Sequence, residues 1–553
     1  MIRAVRPWVL AFVAMTSAVA AEPLRGPLLG AASNFGQSWQ PEALAGGRKL
    51  GVEVFRDEVI WNHVEQSDGR LEFGSMREAY PEMLAELGAN LLLLAYSGHP
   101  NWEEGHVPQD AEGQAAFANY QTRILQRFPA IEAIEIGNEF NSWEFAELEG
   151  WPPDLQARAE AYVDLLATTA GAVRAIRPEI EILGGAAHSV PVAWAEAVVA
   201  AGGLVHMDAF VLHPYTSKPE MIGRQIDVLR QVPGLSDMPI AITEFGTTDA
   251  DQAPDYLVRM YCQMALGGVN RAIWYPFSPR GDGLVPIVDD DGTPTATGQA
   301  FALIRAHLEG RVASDVAPDP FTYACKFGQS ALVIWGAPRG VMLAPGLRAL
   351  NSAGLMLEAP LRLSRDKTLL ILSDGPPVEL GDTVRLGPQR VLADSYDGFS
   401  YLEVEDRSLF VRRGETDLPL EPRPGQESDG VPWTPYLALP QDGTVRVGAD
   451  WAVPSSWGPD DPVSVVYRYD TRAPREVDLR VEVAPDADST DGVLLTVRHE
   501  GRVVSKTVVS TPTTLRSDGI ALGAGEGVEV ILGPNRSAEG DHTRWRVTVL
   551  SAQ

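Results

Sequence analysis

The sequence predicts an α/β protein: a (β/α)8 TIM barrel followed by two all-β, β-sandwich-like domains. Three observations predict it. From about Leu28 to Leu308, short apolar runs alternate with helical patterns. After Gly310 the helical patterns stop, and short alternating strands punctuated by Gly, Pro and Asp take over. The 553 residues also exceed what one hydrophobic core serves. With 45% hydrophobic and 22% charged residues, the composition is that of a folded chain and excludes a mainly disordered one.

Residues 1–20 come first. Arg3 and Arg6 precede an apolar run from Trp8 to Met15, and small residues follow from Ala18 to Ala21. This is the pattern of a secretory signal peptide, with Ala18-Val19-Ala20 at the cleavage site. The run is short for a bilayer span. The mature chain is therefore expected to be exported, secreted or periplasmic, with no membrane span.

The barrel is assigned to residues 21–310. Its strands are read at 28–33, 51–57, 90–96, 133–139, 181–186, 208–215, 240–246 and 271–277. Amphipathic stretches separate them. In Leu155–Ile176, for example, Leu155, Ala159, Tyr162, Leu166, Ala170 and Val173 recur at helical spacing. An open doubly wound sheet would call for a Gly-rich phosphate loop after an early strand, and the sequence has none. Residues 311–413 form the first all-β module, with runs such as "SALVIWG" and "TLLILSD". The stretch 414–434 is rich in Pro, Gly and Glu and reads as a linker. Residues 435–553 read as a second β-sandwich.

A formal charge of −29 opposes binding to nucleic acid or anionic lipid through a general field. Cys262 and Cys325 fall in different predicted domains, and the sequence leaves open whether they pair. Neither belongs to a Cys/His cluster with zinc spacing. "DDDG" at 289–292 lacks the alternate acidic spacing and distal Glu of a calcium loop and reads as a turn. No metal or cofactor is expected.

In such a barrel, chemistry sits at the C-terminal strand ends. Those ends carry Arg56 on the second strand and Asn138 and Glu139 on the fourth. They carry His213 and Tyr215 on the sixth, Glu244 on the seventh and Trp274 on the eighth. Alternation puts Val52, Val54 and Arg56 on one side of their strand, and Ile240, Ile242 and Glu244 on one side of theirs. Strands four and seven face each other across a barrel, so Glu139 and Glu244 can converge. Two facing carboxyl groups are what glycosidic bond cleavage requires, one to protonate the leaving oxygen and one to attack the anomeric carbon. Glu135 shares the parity of Glu139 but lies deeper, and a buried carboxylate needs a partner, so it reads as structural. Asp57 and Glu58 read as solvated or helix-start residues. His99, at the end of strand three, is an open candidate. Trp102, Trp143 and Trp274 are candidate sugar-gripping faces, Trp274 and Trp102 foremost.

With these residues in place, a resemblance stands out. "IEIGNEFN" resembles the strand-four acid/base motif of glycoside hydrolase clan A, commonly Trp-Asn-Glu-Pro, and "IAITEFG" resembles its strand-seven nucleophile motif. "FRDEVIWNHVEQSDGRLEF" at 55–73 and the later "HPY" look most like glycoside hydrolase family 39 and related bacterial exopolysaccharide glycosidases. "VDDDGTPTATGQAFALI" is similar to the turn into the last barrel helix of such enzymes. The resemblance implies Glu139 as acid/base, Glu244 as nucleophile and Asn138 as the holder of a sugar hydroxyl, with Arg56, His213 and Tyr215 orienting the nucleophile. Gly137 stands where the common motif has Trp, and Phe140 where it has Pro, so the cleft wall near the acid is expected to differ.

The expectation is an exported retaining glycoside hydrolase cleaving β-glycosidic bonds of an oligo- or polysaccharide, such as a bacterial exopolysaccharide. An exo-acting, xylosidase-type β-glycosidase is the close alternative. A non-catalytic glycan-binding protein of polysaccharide assembly is the alternative of another class.

Overall fold

A computed structural model describes residues 22–404, 408–426, 432–440, 442–458 and 460–552. The expected signal peptide lies outside the described residues. Eight parallel strands close into a barrel in chain order. They are β1 (Leu28–Ala32), β2 (Val54–Asp57), β3 (Asn90–Ala95) and β4 (Ile131–Ile136), then β5 (Glu181–His188), β6 (Ala209–His213), β7 (Ile240–Phe245) and β8 (Val269–Trp274). Each expected strand run is one of the eight. Helices between them cover the outside, among them Leu155–Ile176, whose first turn is capped by Asp154 accepting from the Ala157 amide.

Strand parity divides the core in two. Ala32, Val54, Leu92, Ala133, Leu183, Ala209, Val211, Ala241 and Ile273 fill the barrel interior. The alternate residues, such as Phe55, Ile134, Ile242 and Trp274, pack outward against the helices. Val54 and Arg56 thus face inward as expected. Ile240 and Ile242 do not, and the β7–β8 register shifts between Ile242 and Phe245. This local irregularity re-aims the chain, so that Glu244 reaches the mouth although the parity of its strand would turn it out.

Beyond the barrel, Thr322–Phe327, Ala331–Gly336 and Leu369–Ser373 form the centre of a six-stranded antiparallel sheet, with a three-stranded sheet beside it. The last sandwich has an eight-stranded and a seven-stranded sheet. Its membership differs from the sequence reading. Val391–Asp394 pairs with Thr543–Ser551, and Leu409–Arg413 pairs with Pro462–Asp470, so strands from before residue 414 belong to this sandwich. The 414–434 stretch is not a free linker either, since Thr416–Leu418 and Glu421–Arg423 are strands of its two sheets. Such short strands are specified by their distant partners, which local composition does not reveal.

The β-modules are fastened to the barrel. Cys262, on the helix Ala253–Leu266, is disulfide-bonded to Cys325 with the Cα atoms 5.9 Å apart. Glu220, on the helix Pro219–Leu229, accepts from Arg259 at 2.9 Å, Trp335 at 2.8 Å and Tyr396 at 3.0 Å. Arg224 donates to the backbone carbonyls of Asp397 and Phe399.

Candidate active site

The C-terminal strand ends carry a buried network of alternating charge. Arg56, inward-facing on β2, grips Glu135 with two parallel bonds of 2.7 and 2.8 Å. Its remaining nitrogen reaches Glu244 Oε1 at 2.5 Å, and Nη2 also touches Asn138 Oδ1 at 3.1 Å. The Tyr215 hydroxyl donates to Glu244 Oε2 at 2.7 Å. Both oxygens of Glu244 are thereby fixed. Burial and the neighbouring Glu244 charge hold the Tyr215 phenol well above its ordinary range, so it remains a donor.

Glu139 is placed by an unusual backbone. β4 ends at Ile136, three residues earlier than Glu139, and Gly137 turns the chain with φ at +91°. Glu139 itself has φ at +53°, a left-handed conformation that costs a non-glycine residue on the order of 1 kcal/mol or more. Its amide donates to the Ala186 carbonyl at 2.7 Å. The side chain then meets two imidazoles on one oxygen: His213 Nδ1 lies 2.8 Å and His188 Nδ1 3.1 Å from Oε1. Among the described residues none hydrogen-bonds Oε2.

His213 is fully buried at the centre. Its other nitrogen lies 2.9 Å from Thr243 Oγ1 and 3.4 Å from Glu135. Burial disfavours the imidazolium, but the charge of Glu244, hydrogen bonds to Glu135 and Glu139 and the charge of Glu139 outweigh burial and raise its pKa to about 9. Burial would likewise raise Glu139, but hydrogen bonds and charge from His188 and His213 hold it well below the usual carboxylate range. Glu135 is lowered to about 2, with Arg56 and His213 overcoming its burial. Glu139 and His213 thus share one proton across a contact of 2.8 Å.

One oxygen each of Glu139 and Glu244 and one nitrogen of His213 all lie within 4.8 Å of one another. This is the spacing at which three such groups can share a cation. Here, however, Arg56 and the His213 imidazolium already supply positive charge to both carboxylates.

The sequence-predicted residues therefore separate into two groups. Arg56, Asn138, Glu139, His213, Tyr215 and Glu244 converge. Trp274 does not: its inward neighbour is Ile273, so the indole points out among the helices, fully buried, donating to the Val285 carbonyl at 2.9 Å. It cannot serve as a sugar platform. His99 is also structural, with Nε2 2.9 Å from the Glu65 carbonyl and Nδ1 accepting from the Asn101 amide. Trp102 packs half-buried against the core, and Trp143 is exposed beside Arg158. Asp57, expected to be solvated, is buried and accepts from Ser33, Phe35 and Glu58. Phe140 is wholly buried and stacks on Trp151, so it is core and not cleft wall.

Sequence reading missed His188, Thr243, Asn141 and two residues from the expected linker. Asn141 Oδ1 accepts from the His188 amide at 2.7 Å, and Gln426 donates to the Asn141 carbonyl at 2.9 Å. The Trp433 ring lies 4.7 Å from that of His188, edge-on. Following β5 two residues past 186 would have found His188; nothing local pointed to Gln426 or Trp433.

No protein-family model and no curated protein sequence matches the chain. Solved structures do. A family 39 glycoside hydrolase from Bacteroides cellulosilyticus WH2 superposes with a TM-score of 0.52 at 17% identity, over 63% of this chain and 81% of that one. A family 39 β-xylosidase from Caulobacter crescentus gives 0.49 at 17% identity, over 64% and 97%. A monomeric β-xylosidase from Caulobacter crescentus CB15 gives 0.45 at 14% identity, over 93% and 98%. At these identities the likeness is one of fold: the chain shares the barrel architecture of glycoside hydrolases.

Proposed function

We propose that this chain is a retaining glycoside hydrolase that cleaves β-linked oligo- or polysaccharides, with Glu244 as nucleophile and Glu139 as acid/base. One observation carries the reading. Carboxylate oxygens from the ends of β4 and β7 come within 4.8 Å, the short separation of about 5 Å that suits direct attack rather than the wider gap that admits a water.

In the first step, Glu244 attacks the anomeric carbon while Glu139 Oε2 gives a proton to the departing glycosidic oxygen. The reactive form has the shared proton on Glu139 and a neutral His213. Forming the ester removes the Glu244 charge, the largest contribution favouring the imidazolium, so His213 stays neutral while Glu139 gives its proton to the leaving oxygen. In the second step, Glu139 takes a proton from water, which attacks the same carbon and releases the sugar with its configuration kept. Asn138, whose Oδ1 is engaged by Arg56, has an amide nitrogen that no side chain among the described residues engages, and it is offered to a sugar hydroxyl.

Export through residues 1–20 is part of the proposal, and the Cys262–Cys325 disulfide fits an oxidising compartment. A bacterial exopolysaccharide is the substrate class proposed.

The test is product analysis on a panel of plant and bacterial polysaccharides and β-linked oligosaccharides, with the product anomer followed by NMR. Glu244→Gln and Glu139→Gln are expected to lose about 10³-fold or more in kcat. Azide is expected to rescue a Glu244→Ala variant as the α-glycosyl azide and a Glu139→Ala variant as the β-azide. Inverted products, or full turnover in both Gln variants, would refute the assignment.

A further inference from the structure

The last sandwich reaches into the mouth of the barrel. Its strands Glu421–Arg423 and Tyr436–Leu439 pair, and Gln426 and Trp433, between them in sequence, meet the residues at the end of β5. Gln426 and Asn141 exchange two hydrogen bonds, 2.9 Å to the Asn141 carbonyl and 3.3 Å from its side-chain nitrogen. Asn141 in turn holds both the amide and the carbonyl of His188, at 2.7 and 3.1 Å. Against this braced histidine stands Trp433. His188 lies 6.3 Å from Tyr215, and Tyr215 lies 6.3 Å from Tyr275. All four rings are half-buried, so each keeps part of its surface open.

This places Trp433 relative to the bond being cut. The reacting sugar must sit over Glu244, beside Arg56, Asn138 and Tyr215. The glycosidic oxygen must lie within hydrogen-bond reach of Glu139, roughly 3 Å. The leaving sugar therefore begins at Glu139 and extends away from Glu244. His188 touches Glu139 and makes no hydrogen bond to Glu244 among the described residues, and Trp433 packs edge-on against His188. A half-buried indole beside the His188 imidazole is suited to a pyranose, whose C–H face packs on the ring while a hydroxyl meets the imidazole.

We infer that Trp433 forms the wall of the subsite for the leaving sugar, so that the C-terminal sandwich completes the active site and selects for substrates of two or more sugars. The inference rests on the glycosidase reading above.

The experiment compares hydrolysis of two probes built on the sugar that the panel identifies: its methyl β-glycoside and its β-linked disaccharide. Both need proton donation by Glu139, but the methyl group is too small to reach Trp433. In full-length Trp433→Ala, the ratio of kcat/KM for the disaccharide to that for the methyl glycoside is expected to fall about tenfold, chiefly through KM. Trp433→Leu, which fills the space without an aromatic face, should behave like the Ala variant and guards against misfolding. Trp433→Phe should restore most of the ratio. An equal loss on both probes would overturn the inference, assigning Trp433 to the support of His188. An unchanged ratio with unchanged rates would overturn it too. If the wild type hydrolyses nothing on the panel, the glycosidase reading falls and the subsite with it, an outcome separable from loss of the ratio alone.

Discussion

The chemistry of this site turns on one residue, His213, and its pH behaviour follows from what faces it. Glu139 and Glu135 touch its ring, Glu244 lies nearby, and Thr243 caps Nε2. His188 and Arg56 are the cations or potential cations bound to those carboxylates. With its pKa raised to about 9, His213 stabilises the fold fully below its ordinary 6.5 and loses that contribution as pH climbs through 9. Glu135 and Glu139 are lowered, so their contribution is present above 4.5 and is lost as pH falls toward 2. The cluster is accordingly most stabilising between 4.5 and 6.5. Replacing His213 with Asn removes the imidazolium that depresses Glu139, and burial then raises Glu139. The alkaline limb of kcat/KM against pH is expected to move down by more than a unit, with kcat reduced about 100-fold. A limb that stays in place would show that the Glu139–His213 pair does not hold the catalytic proton. Arg56, Glu139, His213, Tyr215 and Glu244 were legible in the sequence because strand ends in a barrel share one mouth. Gln426 and Trp433 were not, because each is recruited by contacts across the fold, and His188 was missed because its strand was read two residues short.

At the scale of elements, the end of β4 and the end of β7 both depart from regular strands, and both departures aim a carboxylate of the proposed catalytic pair. Sequence alternation predicted that β7 would bring Glu244 inward in line with Ile240 and Ile242. The parity was wrong, and a register shift delivers the same outcome. A pattern of period two cannot disclose an irregularity in itself. On β4 the requirement is visible in Gly137. A Cβ there would stand 2.8 Å from Phe140 and 2.9 Å from Tyr162, on a backbone with φ at +91°. Gly137→Ala is therefore expected to cost about 2 kcal/mol of stability or more. It should also displace Glu139, lowering kcat more than it raises KM, because the turn aims the proposed proton donor and not the groups proposed to bind the sugar. Steady-state kinetics alongside thermal unfolding check this. Wild-type kcat in a destabilised Gly137→Ala would separate the turn from the aim of Glu139.

For the whole molecule, the sequence divided the chain into barrel and β-modules correctly in kind, while strand exchange across residue 414 escaped it. Short strands such as Val391–Asp394 take their meaning from partners more than a hundred residues away. The same holds for what joins the modules. Glu220 is buried where the barrel, the six-stranded sheet and the chain leading into the last sandwich meet, beside a cavity of about 770 Å³ lined in part by Trp335, Tyr396 and Arg546. It is the common acceptor for Arg259, Trp335 and Tyr396, one partner from each of those three parts. Replacing it with Gln keeps the shape but leaves the Arg259 guanidinium buried without its counter-charge. Breaking a buried pair from one side costs about 3 kcal/mol or more, so Glu220→Gln is expected to lower the thermal unfolding midpoint by several degrees. The disulfide between Cys262 and Cys325 still ties the first sheet to the barrel in that variant, whereas the last sandwich is held across Glu220 by non-covalent contacts. Limited proteolysis should then release the C-terminal sandwich earlier than the six-stranded sheet. If Trp433 belongs to the active site, activity on the disaccharide should fall as that sandwich is lost, ahead of any fall on the methyl glycoside. Equal release of both β-modules would mean that Glu220 does not act as the junction.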